Sequence, residues 1–261
     1  MGLPETPPDQ MSFWEHLQEL RVRLTRILMG VAVAFAVTYY FRFKLWAVVQ
    51  QPIGGAIQRQ TGKTLAELQP FAFHDLTEPF FSLMRLSLWA AAFLAAPVVF
   101  AQIWAFIRPG LLPRERRFAI PFVLVTSACF IGGATFAHFQ AFKFLADILF
   151  QEALSANLRP MLSIDSALDL YLGTVLMTGL MFELPVLFFF LAKLKLVTAK
   201  WMLKYWRHAT VAIVIFSAFF TPGDVIATTV FFSVILLALY FVSVIVVWVA
   251  QPKQPRPDSE L

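Results

Sequence analysis

The chain has 261 residues, of which 59% are apolar and only 14% are charged, whereas an ordinary soluble domain has about 25% charged residues. Its mean hydropathy of +0.71 excludes a water-soluble fold and indicates an integral membrane protein. A membrane-spanning helix needs about 20 apolar residues, so the length accommodates six spans but not ten. The net charge of +5 does not by itself indicate nucleic-acid binding, because basic residues concentrate in the cytoplasmic loops of membrane proteins.

Six uncharged segments, bounded by charged residues or by Pro and Gly, predict an all-α protein with six transmembrane helices. The segments are residues 28–41, 86–107, 118–142, 170–192, 209–221 and 225–250. Of the 21 Lys and Arg residues, 14 fall in the tails and loops on one side of this arrangement and 7 on the other. The positive-inside rule therefore predicts that both termini are cytoplasmic.

The segments between the spans predict one membrane domain, residues 12–250, between a flexible tail at 1–11 and a cytoplasmic tail at 251–261. Two long external loops, 50–77 and 143–169, are expected to cap the helices. The fifth span is only about 20 Å long as a helix, short of the roughly 30 Å hydrocarbon core. Residues 209–250 are therefore either one kinked element or a hairpin, and the turn signal Thr221-Pro222-Gly223-Asp224 favours the hairpin.

Before the first span, Ser12 and Glu15 form a capping box, which predicts a cytoplasmic helix that runs into that span. Glu15 and Glu19 lie one turn apart on this helix. One interpretation is a solvated face, on which Glu19 pairs with Arg23 four residues later. The other is an acidic docking site for a cationic ligand.

The first internal loop contains Pro109, Gly110 and Pro113, which predict a rigid bend, and a single acidic residue, Glu115, among four arginines. Glu115 is either a local counter-charge or a second carboxylate beside Glu19. Two carboxylates in a partly desolvated groove bind a guanidinium group in a planar, bidentate geometry that lysine does not reproduce. The second interpretation predicts selectivity for arginine over lysine.

Glu183 lies near the middle of the otherwise apolar fourth span. A carboxylate there costs several kcal/mol unless it is protonated or paired. Gly179, one turn earlier, allows close approach of a partner helix, and Pro185 interrupts the backbone hydrogen bonds. These residues predict a polar site facing a groove, with a structural hydrogen bond to another helix as the alternative.

The other polar residues in the spans have structural interpretations. Glu78 suits the positive end of the second helix dipole, Asp224 caps the sixth helix, and His138 is an interfacial histidine near the outer end of the third helix. The four His and one Cys are dispersed and give no metal-ligand spacing. With no nucleophile elbow and no phosphate loop, neither an intramembrane hydrolase nor an NTPase is supported, and we do not expect an enzyme.

Four ordered motifs resemble the TatC family, the polytopic subunit of the twin-arginine (Sec-independent) protein translocase. The segment HLQELRVRL at 16–24 resembles the family's HLxELRxRL, and residues 96–117 resemble its first cytoplasmic loop. The sequence FELP at 182–185 matches its FExP, and TPGD at 221–224 resembles its TPxD turn. The resemblance covers about residues 12–240. It implies a glove-shaped six-helix fold in the bacterial cytoplasmic membrane, without a cofactor, that transports folded proteins using the protonmotive force.

The resemblance also implies residue roles. Glu19 and Glu115 would bind the two arginines of a signal peptide, and Phe106 and Leu111 would line that site. Glu183, with Gly179 and Pro185 nearby, would contact the single-span subunits TatA and TatB. The other predicted site residues are Glu15 and Arg21 near the peptide, and Pro97, Pro109, Glu78 and Asp224 in structural roles.

The sequence therefore predicts a receptor and scaffold in the lipid bilayer that binds signal peptides of folded precursors, associates with TatA and TatB, self-associates in a multimeric complex and binds no nucleic acid. The alternative is a proton-coupled transporter of small solutes, with Glu183 as proton carrier and the short fifth helix as a discontinuous element. The absence of an internal repeat and the small number of charges within the spans weaken this alternative.

Overall fold

The computed structural model describes residues 13–68, 70–107, 119–156, 161–220 and 226–251. Within these ranges nearly all residues are helical. The helices are α1 (Phe13–Tyr40), α2 (Arg42–Thr61), α3 (Leu65–Leu68), α4 (Glu78–Leu94), α5 (Ala96–Ile107), α6 (Ala119–Phe136), α7 (Phe142–Ser155), α8 (Ile164–Met181), α9 (Leu184–Lys193), α10 (Ala199–Lys204), α11 (Trp206–Phe220) and α12 (Ile226–Ala250). A π-helical turn, Ala137–Ala141, joins α6 to α7, and the two-residue strands are β1 (Phe71–Ala72) and β2 (Leu162–Ser163).

The predicted all-α membrane fold is confirmed. In the described ranges, three helical stretches are long and apolar enough to cross a membrane: Ile120–Ser155, Ile164–Lys193 and Ile226–Ala250. The pairs α1 with α2 and α4 with α5 pass the same test only when each is taken as one interrupted span, and Trp206–Phe219 is a shorter apolar helix. The six-span count and the cytoplasmic placement of both termini stay predictions, and the predicted tail 1–11 and, apart from Gln251, the predicted tail 251–261 lie outside the described residues.

One compact unit contains the described residues of 1–42 and 83–127. Here α1 packs along α5, where Gly30 lies against Val98. The Thr38 hydroxyl on α1 also donates a hydrogen bond to the Ser87 carbonyl of α4, at 2.8 Å. The predicted second span is bent by 54° between α4 and α5, because Pro97 lacks the N–H that a continuous helix requires at this position.

The second unit contains residues 43–82 and the described residues of 128–261. Helix α12 packs against α9, α10 and α11. The Tyr240 hydroxyl donates to the Met202 carbonyl of α10 at 2.8 Å, and the Lys193 ammonium group donates to the Ala250 carbonyl at the end of α12, at 3.1 Å. A buried cluster fills the space between these helices: Ala192, Ala199, Met202, Tyr240, Val244 and Val247.

Both segments predicted as long external loops are partly helical. Helix α2 continues to Thr61, and the third predicted span continues through α7 to Ser155. The prediction missed α2 because only one face of this helix is apolar. Its buried side chains are those of Val49, Ile53, Ala56 and Ile57, and the polar residues between them prevent a continuous apolar segment of the length of a membrane span. The two segments are joined by the parallel pairing of β1 with β2.

Candidate functional site

Helix α1 carries His16, Glu19 and Arg23 on one face, at the spacing of one and two turns. The Glu19 Oε1 atom accepts a hydrogen bond from Arg23 Nε at 3.0 Å and another from Arg23 Nη2. Both side chains are largely buried, with 17% and 18% exposed. The Glu19 Oε2 atom is buried and has no hydrogen-bond partner in the described parts of the chain. The ion pair of the first interpretation therefore forms, and it satisfies only one oxygen of Glu19.

Phe106 lies beside the turn of α1 that precedes Glu19. Its ring stacks on that of His16, with 4.5 Å between ring centroids and 30° between the planes. Phe106 is the penultimate residue of α5, so the structure brings this predicted site residue to the same end of the unit as Glu19. Glu115, Leu111 and Pro109 lie outside the described residues.

The remaining predicted peptide contacts, Glu15 and Arg21, lie differently on α1. Glu15 is one turn before Glu19 and is exposed, whereas Arg21 is two residues later and so about 200° around the helix axis. The helix therefore places Glu15 on the side of Glu19 and Arg21 on the opposite side. Arg21 therefore does not lie on the face of α1 that carries His16, Glu19 and Arg23.

Sequence reasoning assigned no role to Gln102, one turn before Phe106 on α5. Its Oε1 atom is buried and has no hydrogen-bond partner within the described ranges. Two residues later, the buried Trp104 packs on Phe122, with 4.6 Å between ring centroids. Gln102 is the one amide side chain in α5, an otherwise apolar helix of 12 residues. This pattern could have indicated a functional residue, because a buried amide requires hydrogen-bond partners.

Glu183 lies at the junction between α8 and α9 in the second unit. Its backbone N–H donates to the Leu180 carbonyl at 3.1 Å, and its carbonyl accepts from Leu187 at 2.8 Å. Pro185 occupies the first turn of α9, where its missing N–H is tolerated. The Glu183 Oε1 atom is buried and makes no hydrogen bond to the described residues. The structure thus places a carboxylate at a helix break inside a predicted span.

The close helix approach predicted at Gly179 is made by a helix of this chain. A Cβ atom added to Gly133 of α6 would lie 2.9 Å from Gly179 Cα and 2.9 Å from Phe182 Cβ. A Cβ atom added to Gly179 would lie 3.0 Å from a ring carbon of Phe130. Gly179 is therefore covered by α6 and is not open to a second molecule. Sequence reasoning missed Gly133, although the adjacent glycines at 132 and 133 were a signal of close packing.

Glu78 does more than stabilise a helix dipole. It is the first residue of α4, and its Oε2 atom accepts the His74 backbone N–H at 2.6 Å. Its Oε1 atom accepts the Ser163 hydroxyl at 2.7 Å and the Asp165 N–H at 3.3 Å. Glu78 therefore connects α4 to the chain around β2. The predicted helix cap Asp224 lies outside the described residues.

Two further polar contacts lie in the second unit. His138, in the π-helical turn, is 2.9 Å from the Tyr171 hydroxyl through its Nδ1 atom, and Ser82 donates a hydrogen bond to Asp165. No group of three or more His, Cys, Asp or Glu side chains in the described ranges is arranged to hold a metal ion.

Comparison with known proteins identifies the family. The sequence profile described as "Sec-independent protein translocase protein (TatC)" matches residues 15–233. The chain belongs to the TatC family. It is 34% identical to the TatC of Koribacter versatilis over 96% of this chain and 90% of that protein, and 32% identical to the TatC of Campylobacter jejuni over 94% of this chain and 97% of that protein.

A solved TatC structure has the same fold. The crystal structure entitled "Crystal Structure of Twin Arginine Translocase Receptor- TatC" superposes with a TM-score of 0.73 at 27% identity, over 90% of this chain and 99% of that chain. The chain is therefore a multi-pass bacterial membrane protein and a component of the Sec-independent twin-arginine translocase. These matches confirm the predicted family, the all-α polytopic fold and the non-enzymatic function, and they do not favour the small-solute transporter.

Proposed function

We propose that this TatC family member is the receptor subunit of its translocase. It binds twin-arginine signal peptides of folded precursors at the cytoplasmic face, and it scaffolds assembly with TatA and TatB for export driven by the protonmotive force. The observation that carries the proposal is the buried Oε2 atom of Glu19, which has no hydrogen-bond partner in the described parts of the chain. A buried polar atom without a hydrogen-bond partner costs about 1–3 kcal/mol, and more if the group is charged. The site therefore favours a ligand that donates a hydrogen bond to this oxygen.

An arginine side chain suits this carboxylate because its guanidinium group carries several N–H donors in one plane. The second arginine of the peptide requires a second anion, and Glu115 follows the end of α5 at Ile107 by eight residues. An extended chain of eight residues spans at most about 28 Å. This length would allow Glu115 to reach a position beside Glu19 from the end of α5. The rings of Phe106 and His16 stack at the turn of α1 that precedes Glu19, where they would supply an aromatic surface for the peptide, and Leu111 would extend it.

Glu183 is the proposed contact for the single-span subunits. Its buried Oε1 atom has no hydrogen-bond partner among the described residues, and a polar side chain of a partner helix would satisfy it within the bilayer. Because Gly179 is already covered by α6, the surface available to TatA or TatB is formed around Glu183 and Pro185 rather than around Gly179. Self-association of the receptor belongs to the same proposal.

The receptor proposal is tested by photocrosslinking to a twin-arginine signal peptide from a benzoylphenylalanine that replaces Phe106 and from a second probe at Leu111. We expect Glu19→Gln to reduce peptide binding by about 12- to 160-fold, because a hydrogen bond to a charged group contributes about 1.5–3 kcal/mol. The matched control is Glu152→Gln, which removes one exposed carboxylate from α7 and should leave binding unchanged. A twin-lysine peptide that competes as well as the twin-arginine peptide would refute recognition by the carboxylates.

The proposed orientation places this protein in the bacterial cytoplasmic membrane with both termini inside. The asymmetry of the 21 basic residues supports it through the positive-inside rule. A protease-sensitive tag fused after Leu261 should be cleaved only in permeabilised cells. Cleavage in intact spheroplasts would contradict the cytoplasmic placement of the C-terminus, and with it either the orientation or the six-span count.

A further inference from the structure

The connection between α9 and α11 combines five basic residues with exposed aromatic rings. We call residues 193–208 the basic–aromatic segment. Its cations are Lys193, Lys195, Lys200, Lys204 and Arg207, and the sequence has no Asp or Glu between Glu183 and Asp224. The positive charge of the segment is therefore not balanced by any neighbour along the chain.

Four of these cations are exposed, and none forms a salt bridge with another described residue: Lys195, Lys200, Lys204 and Arg207. Lys204 lies over the ring of Tyr205 at 5.4 Å, and Arg207 over the ring of Trp206 at 5.9 Å. These cation–π contacts orient the two side chains without neutralising their charge. The segment thus presents fixed positive charge to its surroundings.

The backbone of the segment is held firmly on α12. Met202 and Ala199 of α10 are buried, and the Met202 carbonyl accepts the hydrogen bond from Tyr240. The Thr198 hydroxyl caps α10 by accepting the Trp201 N–H at 3.2 Å. Lys200 and Lys204, one turn apart, therefore project together from the opposite, exposed side of a short helix whose other side is anchored.

Lys195 occupies a backbone conformation that favours glycine. Its φ of 59° lies in the left-handed region, at the position after the C-cap of α9. The hydrogen bonds from Lys195 to the Ala192 carbonyl (3.0 Å) and from Leu196 to the Leu191 carbonyl (2.9 Å) are those of a Schellman motif, in which this position is usually Gly. A lysine there is less favourable for the backbone than glycine, and such a residue points to a use for its side chain.

The aromatic and aliphatic side chains of the segment are also exposed. Trp201 is 53% exposed, Leu196 69% and Leu203 51%. The segment lies where two apolar helices, α9 and α11, end at the predicted cytoplasmic side. Tryptophan beside lysine at this level is typical of the headgroup region, where the ring contacts acyl chains and the ammonium group contacts phosphate.

From these observations we infer that the basic–aromatic segment binds the headgroup of an anionic phospholipid. Lys195, Lys200 and Lys204 would surround the phosphate as point charges, while Trp201 and Leu203 contact the acyl chains. A basic cluster next to the cytoplasmic end of a membrane helix attracts anionic lipids by an amount that grows with each Lys or Arg. A soluble anion would not explain the exposed Trp and Leu beside the cations, and a membrane lipid explains both.

The test uses the purified full-length protein in mild detergent, titrated with phosphatidylglycerol or phosphatidylcholine of identical acyl chains, with bound lipid counted by native mass spectrometry. The site variant is Lys200→Gln/Lys204→Gln, and the matched control is Lys63→Gln/Lys143→Gln, which removes two exposed lysines on the predicted external side. We expect the wild-type protein to bind phosphatidylglycerol at least tenfold more tightly than phosphatidylcholine. The site variant should bind phosphatidylglycerol about 25-fold more weakly than wild type, because each lysine near a lipid surface contributes about fivefold to the affinity. The affinity of the control variant should change by less than twofold.

Lys195→Gly separates a binding role from a structural one. Glycine relieves the left-handed conformation, so the melting temperature of this variant should not fall, whereas its affinity for phosphatidylglycerol should fall about fivefold. Glycerol phosphate at millimolar concentration should not displace the lipid, since it lacks the acyl chains. Equal binding of both lipids, equal losses in the site and control variants, displacement by glycerol phosphate, or retention of an acidic protein in place of the lipid would each overturn the inference.

Discussion

The carboxylate of Glu78 accepts the hydroxyl hydrogen bond of Ser163 at 2.7 Å, which joins the start of α4 to β2 across 85 positions of sequence. The same carboxylate also accepts the backbone N–H groups of His74 and Asp165. These bonds lie next to the pairing of β1 with β2. A single side chain therefore connects the two segments that were predicted only as separate loops.

Ser163→Ala and Glu78→Gln should both lower the melting temperature of the detergent-solubilised protein. One lost hydrogen bond contributes about 1 kcal/mol, which corresponds to about 2–4 °C in a chain of this size. We expect Glu78→Gln to have the larger effect, because it weakens contacts with three donors. The fall in melting temperature of the double variant should be smaller than the sum of the falls of the two single variants. Strictly additive losses would show that the two side chains do not interact.

Gly133→Ala should destabilise the protein by about 1–3 kcal/mol, because the new methyl group would meet the Gly179 backbone and the Phe182 Cβ atom at 2.9 Å. The neighbouring Gly132→Ala is the matched control, since a Cβ there has nothing within 4 Å. Alanine in a helix interior is favoured over glycine by up to about 1 kcal/mol, so the control should be neutral or stabilising. Thermal unfolding in detergent measures both, and equal melting temperatures would contradict the close approach of α6 to α8.

Glu183→Ala should reduce co-purification of the single-span subunits by about 3- to 18-fold, because interhelical hydrogen bonds in membranes contribute about 0.6–1.7 kcal/mol. Glu183→Gln should retain most of the association, since an amide can still hydrogen-bond. Thr174→Val, on the preceding helix α8, is the control, because the Thr174 hydroxyl is already bonded to the Leu170 carbonyl at 2.7 Å. Unchanged co-purification of Glu183→Ala would leave Glu183 with a structural role only.

Thr38→Val should lower stability by about 0.6 kcal/mol, as expected for the loss of one interhelical hydrogen bond in a membrane protein. The Thr38 hydroxyl donates to the Ser87 carbonyl on α4 at 2.8 Å, and valine keeps the shape of the side chain. The control is Thr135→Val, whose hydroxyl is exposed and, among the described residues, is bonded only to the Ile131 carbonyl of its own helix. Equal effects of the two variants on thermal unfolding would show that the contact between α1 and α4 adds no stability.

Motif residues that depend on local geometry could be predicted from the sequence. The pair of Glu19 with Arg23 follows from a spacing of four residues on a helix, and the break at Glu183 follows from Pro185. By contrast, α2 was missed because this helix is amphipathic, with one apolar face, rather than uniformly apolar. The partner of Gly179 was also beyond sequence reasoning, since the spacing of residues along α8 does not specify which helix packs against it.

Composition and the order of apolar segments alone determined that this chain is an all-α membrane protein, and four motifs determined its family. These properties are local, because each helix satisfies its own backbone hydrogen bonds in the bilayer. Only the tertiary structure decided that one oxygen of Glu19 lies buried with no hydrogen-bond partner among the described residues, and that Phe106 stacks on His16. It also decided that Gly179 is covered by α6 and that Glu78 bonds to Ser163 of β2. Such relationships depend on contacts between residues far apart in sequence, which hydrophobic periodicity does not encode.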